Sequence, residues 1–130
     1  MTEIIMQTYN VLDEIKSDPV YQSIKTYDKL ISDKYNIEIE KFQQAKKIYN
    51  QVMTDGGRFH PDFKEVTKNL GQVKKELYQK QEVIKYLELE KTFQDNLNEF
   101  LTVLGKAVSD HIKTPNALGI VTQGGSCHVR

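Results

Sequence analysis

Apolar residues recur at helical spacing along almost the whole chain. Ile4, Ile5, Val11, Leu12 and Ile15 follow the 3.6-residue period, which predicts a first helix over residues 3–16. Ser17-Asp18-Pro19 interrupts it. Asp18 suits an N-cap, and Pro19 suits the first helical position, where a missing N–H leaves no bond unmade. Val20, Ile24, Tyr27, Leu30 and Ile31 form a second stripe, and Ser32-Asp33 offers a further cap. Phe42, Ala45, Ile48, Tyr49, Val52 and Met53 mark a third helix over roughly 34–54. Asp55-Gly56-Gly57 is the clearest stop, with glycine at a helix end. A fourth helix is predicted to start at Pro61, with Phe63, Val66, Leu70, Val73 and Leu77 as a heptad-like seam. Gln79-Lys80-Gln81-Glu82 has no apolar residue and marks a bend or cap. Ile84, Leu87, Phe93, Leu97, Phe100, Leu101, Leu104, Val108 and Ile112 then predict a fifth helix over 82–112, roughly 45 Å long at 1.5 Å per residue. Thr114-Pro115 ends it, because the residue before a proline is biased away from the α region.

This pattern predicts an all-α fold: an elongated bundle of about five helices with a long C-terminal helix. The expected division is a helical domain over 1–114 and a flexible, glycine-containing tail over 115–130. No segment alternates like a strand, and no internal repeat is visible. A narrow seam is covered by a single neighbour, often within an antiparallel hairpin. Some stripes are therefore left for another chain, and self-association is expected.

Composition sharpens the picture. The 130 residues suffice for one domain. Only 38% are apolar and 28% are charged, fewer apolar and more charged residues than an average globular domain, although a chain of this size can still bury a core. Eighteen basic and eighteen acidic residues cancel. A neutral chain exerts no global pull on a phosphate backbone, which disfavours direct nucleic-acid binding. No run of apolar residues reaches membrane-spanning length. Met1-Thr2-Glu3-Ile4-Ile5 lacks the basic and apolar regions of a secretory signal, and a single cysteine excludes an internal disulfide. Both point to a cytoplasmic protein.

Candidate chemistry is sparse. The carboxylates lie among lysines on polar helix faces, without the unlike environments an acid–base pair needs. His60, His111 and His128 are far apart in sequence, and no HxxxH or CxxC spacing offers a zinc site. His60, directly before Pro61, fits a turn and an N-cap, and His111 fits the end of the long helix, where its partial charge is favourable. No phosphate-binding loop or nucleophile elbow is present. These features argue against an enzyme. Gly71 and Gly105 each cost about 1 kcal/mol relative to alanine inside a helix, and close helix approach is the expected compensation. Cys127, flanked by Gly124-Gly125-Ser126, is either an incidental thiol or a thiolate able to reach a soft metal or cluster shared with another chain.

Two motifs resemble the YlbF/YmcA family of small helical bacterial proteins. The first is Arg58-Phe59-His60-Pro61-Asp62-Phe63, an aromatic–His–Pro–Asp–aromatic turn after glycine. The second runs from Gly105 through His111 to Pro115. The resemblance covers most of the chain and is strongest from Gly57 to Pro115. It implies a non-enzymatic cytoplasmic regulator acting with YmcA-like and YaaT-like proteins. Their complex adjusts messenger-RNA processing by the membrane-bound endoribonuclease RNase Y, with effects on competence, sporulation and biofilm formation in relatives. It also implies an iron–sulfur cluster, with C-terminal cysteines as ligands. Tails of this kind can be cysteine-rich, whereas this one has Cys127 alone, so the remaining ligands would come from partner chains. The rival expectation is a plain helical homo-oligomeric scaffold without a cofactor.

Overall fold

A computed structural model describes residues 1–113 of the chain, and Cys127, His128 and the expected tail lie outside the described residues. The described residues form α1 (Thr2–Ser17), α2 (Pro19–Lys34), α3 (Asn36–Asp55), a 3-10 turn (Gly57–Phe59), α4 (Phe63–Tyr78) and α5 (Gln81–Val108), with no strand among them. The all-α expectation holds. Two compact units divide the chain, Met1–Glu88 and Leu89–Arg130.

Local chemistry explains most boundaries. Asp18 caps α2: its Oδ1 accepts the N–H groups of Val20 at 2.7 Å and Tyr21 at 3.2 Å, and Pro19 occupies the first turn. Ser32-Asp33 does not cap α3. α2 runs on to Lys34, and Tyr35 sits between α2 and α3 without a side-chain capping bond. Backbone continuity explains this: Tyr35 N–H still donates to Ile31 O at 2.8 Å, while Tyr35 O already accepts from Ile39 N–H at 2.9 Å. The two helices share one residue as their joint, so no free N–H set requires a serine. At the other predicted break, Gln79 and Lys80 separate α4 from α5.

Within Met1–Glu88 the principal packing is the antiparallel pair α3–α4. The heptad-like seam of α4 lies inward as predicted, from half-buried Phe63 to buried Leu77. Its α3 counterparts include buried Ala45 and Val52. Two tilted ring pairs join the helices, Tyr49–Phe63 at 6.5 Å between centroids and Phe42–Tyr78 at 6.1 Å. The buried cluster is Tyr35, Leu77 and Val83, with Ile31, Ile39, Phe42 and Leu87 packed against it. It gathers the end of α2, the start of α3, the end of α4 and the start of α5. No large side chain among the described residues is fully enclosed.

Gly71 departs from expectation. A Cβ placed there meets nothing within 4 Å, so no helix approaches closely. The glycine is exposed on α4 and its helical cost is uncompensated locally.

Candidate interaction surfaces

The Arg58–Phe63 motif forms the turn between α3 and α4. Gly57 has φ +58, a left-handed conformation open to glycine, and it starts the 3-10 turn. A Cβ on the preceding Gly56 would lie 3.3 Å from the Cβ of His60. Phe59 and His60 N–H groups donate to the carbonyls of Gly56 and Gly57, each at 3.2 Å. Helix α4 begins at Phe63 rather than at Pro61, and His60 is not its N-cap. Instead His60 Nδ1 accepts the Asp62 N–H at 3.1 Å, and His60 O accepts the Phe63 N–H at 3.0 Å. The imidazole therefore ties the Pro61-Asp62 corner from within, which delays the helix by two residues. The two aromatic members of the motif part company. Phe63 packs on Tyr49, whereas Phe59 projects from the turn at 98% exposure.

A second constellation was not singled out by sequence. Tyr35 Oη donates to Glu82 Oε2 at 2.7 Å, and Lys34 Nζ donates to Glu82 Oε1. Lys34 and Lys80 place their ammonium groups 5.2 and 5.3 Å from the Tyr35 ring centroid. Lys80 also faces Glu38 at 3.9 Å. The hydrogen bond from Lys34, then that from Tyr35, hold the Glu82 carboxyl down at about 2, and the same bond to Glu82 raises Lys34. The pattern did contain a hint, because Tyr35 continues the Ile24, Tyr27, Ile31 stripe by one further helical step. Every polar partner here is used in joining α2, α3 and α5, so the network is structural.

Apolar faces left bare are the larger finding. On α1 no residue is buried, and Ile4, Ile5, Met6, Tyr9 and Leu12 are exposed, with Ile4 at 68%. Only Val11 and Ile15 of its predicted stripe are partly covered. The C-terminal half of α5 shows the same condition at Phe100, Leu101, Leu104 and Val108, the last at 71%. Gly105, in contrast, is buried on another face of α5. The helix stops at Val108, so His111 lies in the following turn, where its N–H donates to Ser109 Oγ at 3.2 Å.

Phe59, His60, Pro61 and Phe63 share the α3–α4 turn, Gly105 and His111 lie at the far end of α5, and Cys127 is outside the described residues. Among the described residues no group of three or more His, Cys, Asp or Glu side chains could hold a metal ion, and no helix is long and apolar enough to cross a membrane.

Comparison with known proteins decides the family. The model described as "Control of competence regulator ComK, YlbF/YmcA" matches residues 4–109. The chain belongs to the YlbF/YmcA family. It is 31% identical over 93 residues to regulatory protein YlbF of Bacillus subtilis (strain 168), an alignment covering 68% of this chain and 62% of that protein's length. Among solved structures it is similar to Bacillus subtilis RicA, determined in complex with RicF. The TM-score is 0.74 at 23% identity, over 86% of this chain and 98% of that one. That likeness establishes the shared helical fold, while function must rest on particular surfaces. A YlbF/YmcA match over 4–109 takes in every described helix except the first two residues of α1, so the bare faces of α1 and α5 are part of the family region.

Proposed function

We propose that this protein is a non-enzymatic cytoplasmic regulatory adaptor that acts with YmcA-like and YaaT-like proteins to modulate RNase Y-dependent processing of messenger RNA. The observation that carries the reading is the bare apolar face of α1. A 16-residue helix is marginal in water by itself, and packing of an amphipathic face normally supplies its stability. A helix with no buried residue is therefore suited to docking another protein. Membership in the YlbF/YmcA family supports the regulatory role. The neighbouring structure, RicA in complex with RicF, supports protein pairing as the mode of action. Neutral net charge favours protein contacts over direct binding of RNA.

Self-association through an apolar helix face belongs to the same reading. So does a ligand role for Cys127. One cysteine cannot hold an iron–sulfur cluster alone, so Cys127 would donate one thiolate to a cluster completed by partner chains.

The test is anaerobic affinity purification of the full chain from its native host, read by mass spectrometry and visible absorbance, beside transcript mapping in a strain lacking it. Co-purification of YmcA-like and YaaT-like proteins with altered RNase Y-dependent transcript ends is the expected result. A colourless homo-oligomer with no partner and unchanged transcripts would replace the reading by a plain scaffold. Unchanged cluster absorbance of the complex in a Cys127→Ser variant would remove the ligand role.

A further inference from the structure

We infer that the outer face of α4 formed by Lys64, Lys68, Gly71 and Lys75 docks an acidic helix of a partner protein, with its carboxylates on the lysines and its closest approach at Gly71. This rests on the adaptor reading above and names the face, its chemistry and the kind of partner segment it takes.

The four residues follow one another at steps of four, three and four, so they share one side of the helix, opposite the inward seam of Val66, Leu70 and Leu77. All four are exposed. The row is roughly 16 Å long at 1.5 Å per residue. Lys64 and Lys75 have no acidic residue three or four places away in either direction. Lys68 has only Glu65 at that spacing, and the two form no ion pair. Glu76 stands to one side, where its Oε1 accepts from Gln72 Nε2 at 3.3 Å. Helix α5 is built differently: there Lys85 reaches Glu88 at 3.5 Å and Lys91 reaches Asp95 at 3.0 Å.

Three local preferences are broken on this one face. Lys64 is the second residue of α4, at the positive end of the helix dipole, where a carboxylate is the favoured charge. Lys64 and Lys68 are like charges one turn apart, which destabilises a helix. Gly71 lies in the helix interior, and a Cβ there would meet nothing within 4 Å, so nothing among the described residues offsets its backbone freedom. Conflicts of this kind gather where a surface is kept for binding. An acidic helix laid along α4 answers all three, because it neutralises both lysines and fills the space above the glycine.

The glycine separates this occupant from a nucleic acid. Lysines in a row attract any polyanion, and their spacing suits carboxylates carried at matching helical intervals. A missing side chain in the middle matters only where a packed element comes close to the backbone, as it does between paired helices, whose separation is set by the side chains at the contact. A phosphate backbone gains nothing from Gly71, whose N–H is used inside α4, and no aromatic platform for bases stands between the lysines.

The experiment uses the full chain purified from its native host, with and without ribonuclease, and treated with a carbodiimide, which joins an amine to a carboxylate only where the two touch. Mass spectrometry is expected to place amide links between Lys64, Lys68 or Lys75 and Asp or Glu residues on one helix of a co-purifying protein. Lys64→Gln, Lys68→Gln and Lys75→Gln together are expected to lower recovery of that protein by roughly tenfold or more, and the three arginine replacements to retain it. Gly71→Leu is expected to lower recovery several-fold without lowering the melting temperature, because leucine is a good helix former at an exposed position. Recovery that survives the glutamine variant, or links confined to other lysines, overturns the face and leaves the adaptor reading standing. Recovery that survives Gly71→Leu overturns the close approach. Loss of recovery on ribonuclease treatment overturns the acidic helix in favour of RNA. Absence of any co-purifying protein overturns this inference together with the adaptor reading. Should the glutamine variant unfold, the links formed by the wild-type chain decide the matter.

Discussion

Replacing Leu77 by alanine tests the account of what holds the helices together. Leu77 is 6% exposed and packs with Tyr35 and Val83, beside Ile31, Ile39, Phe42 and Leu87. It is the point where α4 meets the ends of three other helices. Truncation removes the buried isobutyl group and leaves a cavity, and such changes cost about 2–5 kcal/mol according to how far the surroundings collapse. Here no large side chain is fully enclosed, so partial collapse is available. The lower half of that range follows, about 3 kcal/mol. A domain of this size holds only roughly 5–15 kcal/mol in total, so the loss is a substantial fraction. Urea unfolding followed by far-ultraviolet circular dichroism, at fixed protein concentration, would read it as a lower midpoint with unchanged slope. Thermal unfolding should begin roughly 10–20 °C earlier. A loss below about 1 kcal/mol would refute the reasoning. It would mean that the Tyr35–Leu77–Val83 cluster is not the main buried contact, and that stability comes from faces covered only in an assembly.

Three further outcomes follow from local geometry. Gly71→Ala should raise stability by about 0.5–1 kcal/mol, since the added methyl meets open space and the helix loses its most flexible residue; a loss in urea unfolding would show that another chain lies against this position. Asp18→Ala should lower stability by about 1 kcal/mol by releasing the N–H groups of Val20 and Tyr21, and Asp18→Asn should recover most of it; equal losses in the two variants would sink the capping account. Glu82→Gln should destabilise the protein near neutral pH but not in acid. The folded carboxyl titrates at about 2 against an ordinary 4.5, so its contribution is fully present above the ordinary value and is lost as pH falls toward 2. Urea midpoints of wild type and variant should converge on acidification, and a gap that stays constant would contradict the Lys34 and Tyr35 bonds as its cause.

Periodicity made the helices legible, because four- and three-residue steps leave few alternatives over stretches as long as α4 or α5. Asp18-Pro19 and Asp55-Gly56-Gly57 marked breaks for reasons internal to a few residues. The misplaced boundaries share a different cause. The α4 start depends on His60 folding back to accept the Asp62 N–H, and the α2–α3 joint depends on Tyr35 serving both helices at once. Both bonds are local, but they depend on a particular side-chain and backbone geometry rather than on residue type alone. The Glu82 hub was hidden for a different reason, since its partners Lys34 and Tyr35 lie nearly fifty residues away. The family, by contrast, was legible in the sequence from the resemblance of Arg58–Phe63 and the Gly105–Pro115 run, and the family match over residues 4–109 bears out the family.

Burial is where sequence and structure diverge most usefully. The stripes of α4 and of α1 look alike as patterns of apolar spacing, yet the α4 stripe is half-buried to buried throughout, whereas α1 buries no residue and only Val11 and Ile15 of its stripe are partly covered. A stripe states that a face must be hidden from water, but not by which chain. The α3–α4 pair satisfies that demand internally, with Phe63 on Tyr49 and Tyr78 on Phe42. Helix α1 and the end of α5 do not, and their exposed isoleucines, leucines and phenylalanine keep 41–68% of their surface in water, so a sizeable part of their hydrophobic driving force is left for association. Low apolar content is thus not a weakness of the fold alone. Under the proposed reading, a chain with 38% apolar residues divides a limited supply between folding and binding. In the proposed adaptor role, partner occupancy and folded stability are linked, because any chain that covers α1 or α5 also stabilises the helix it covers.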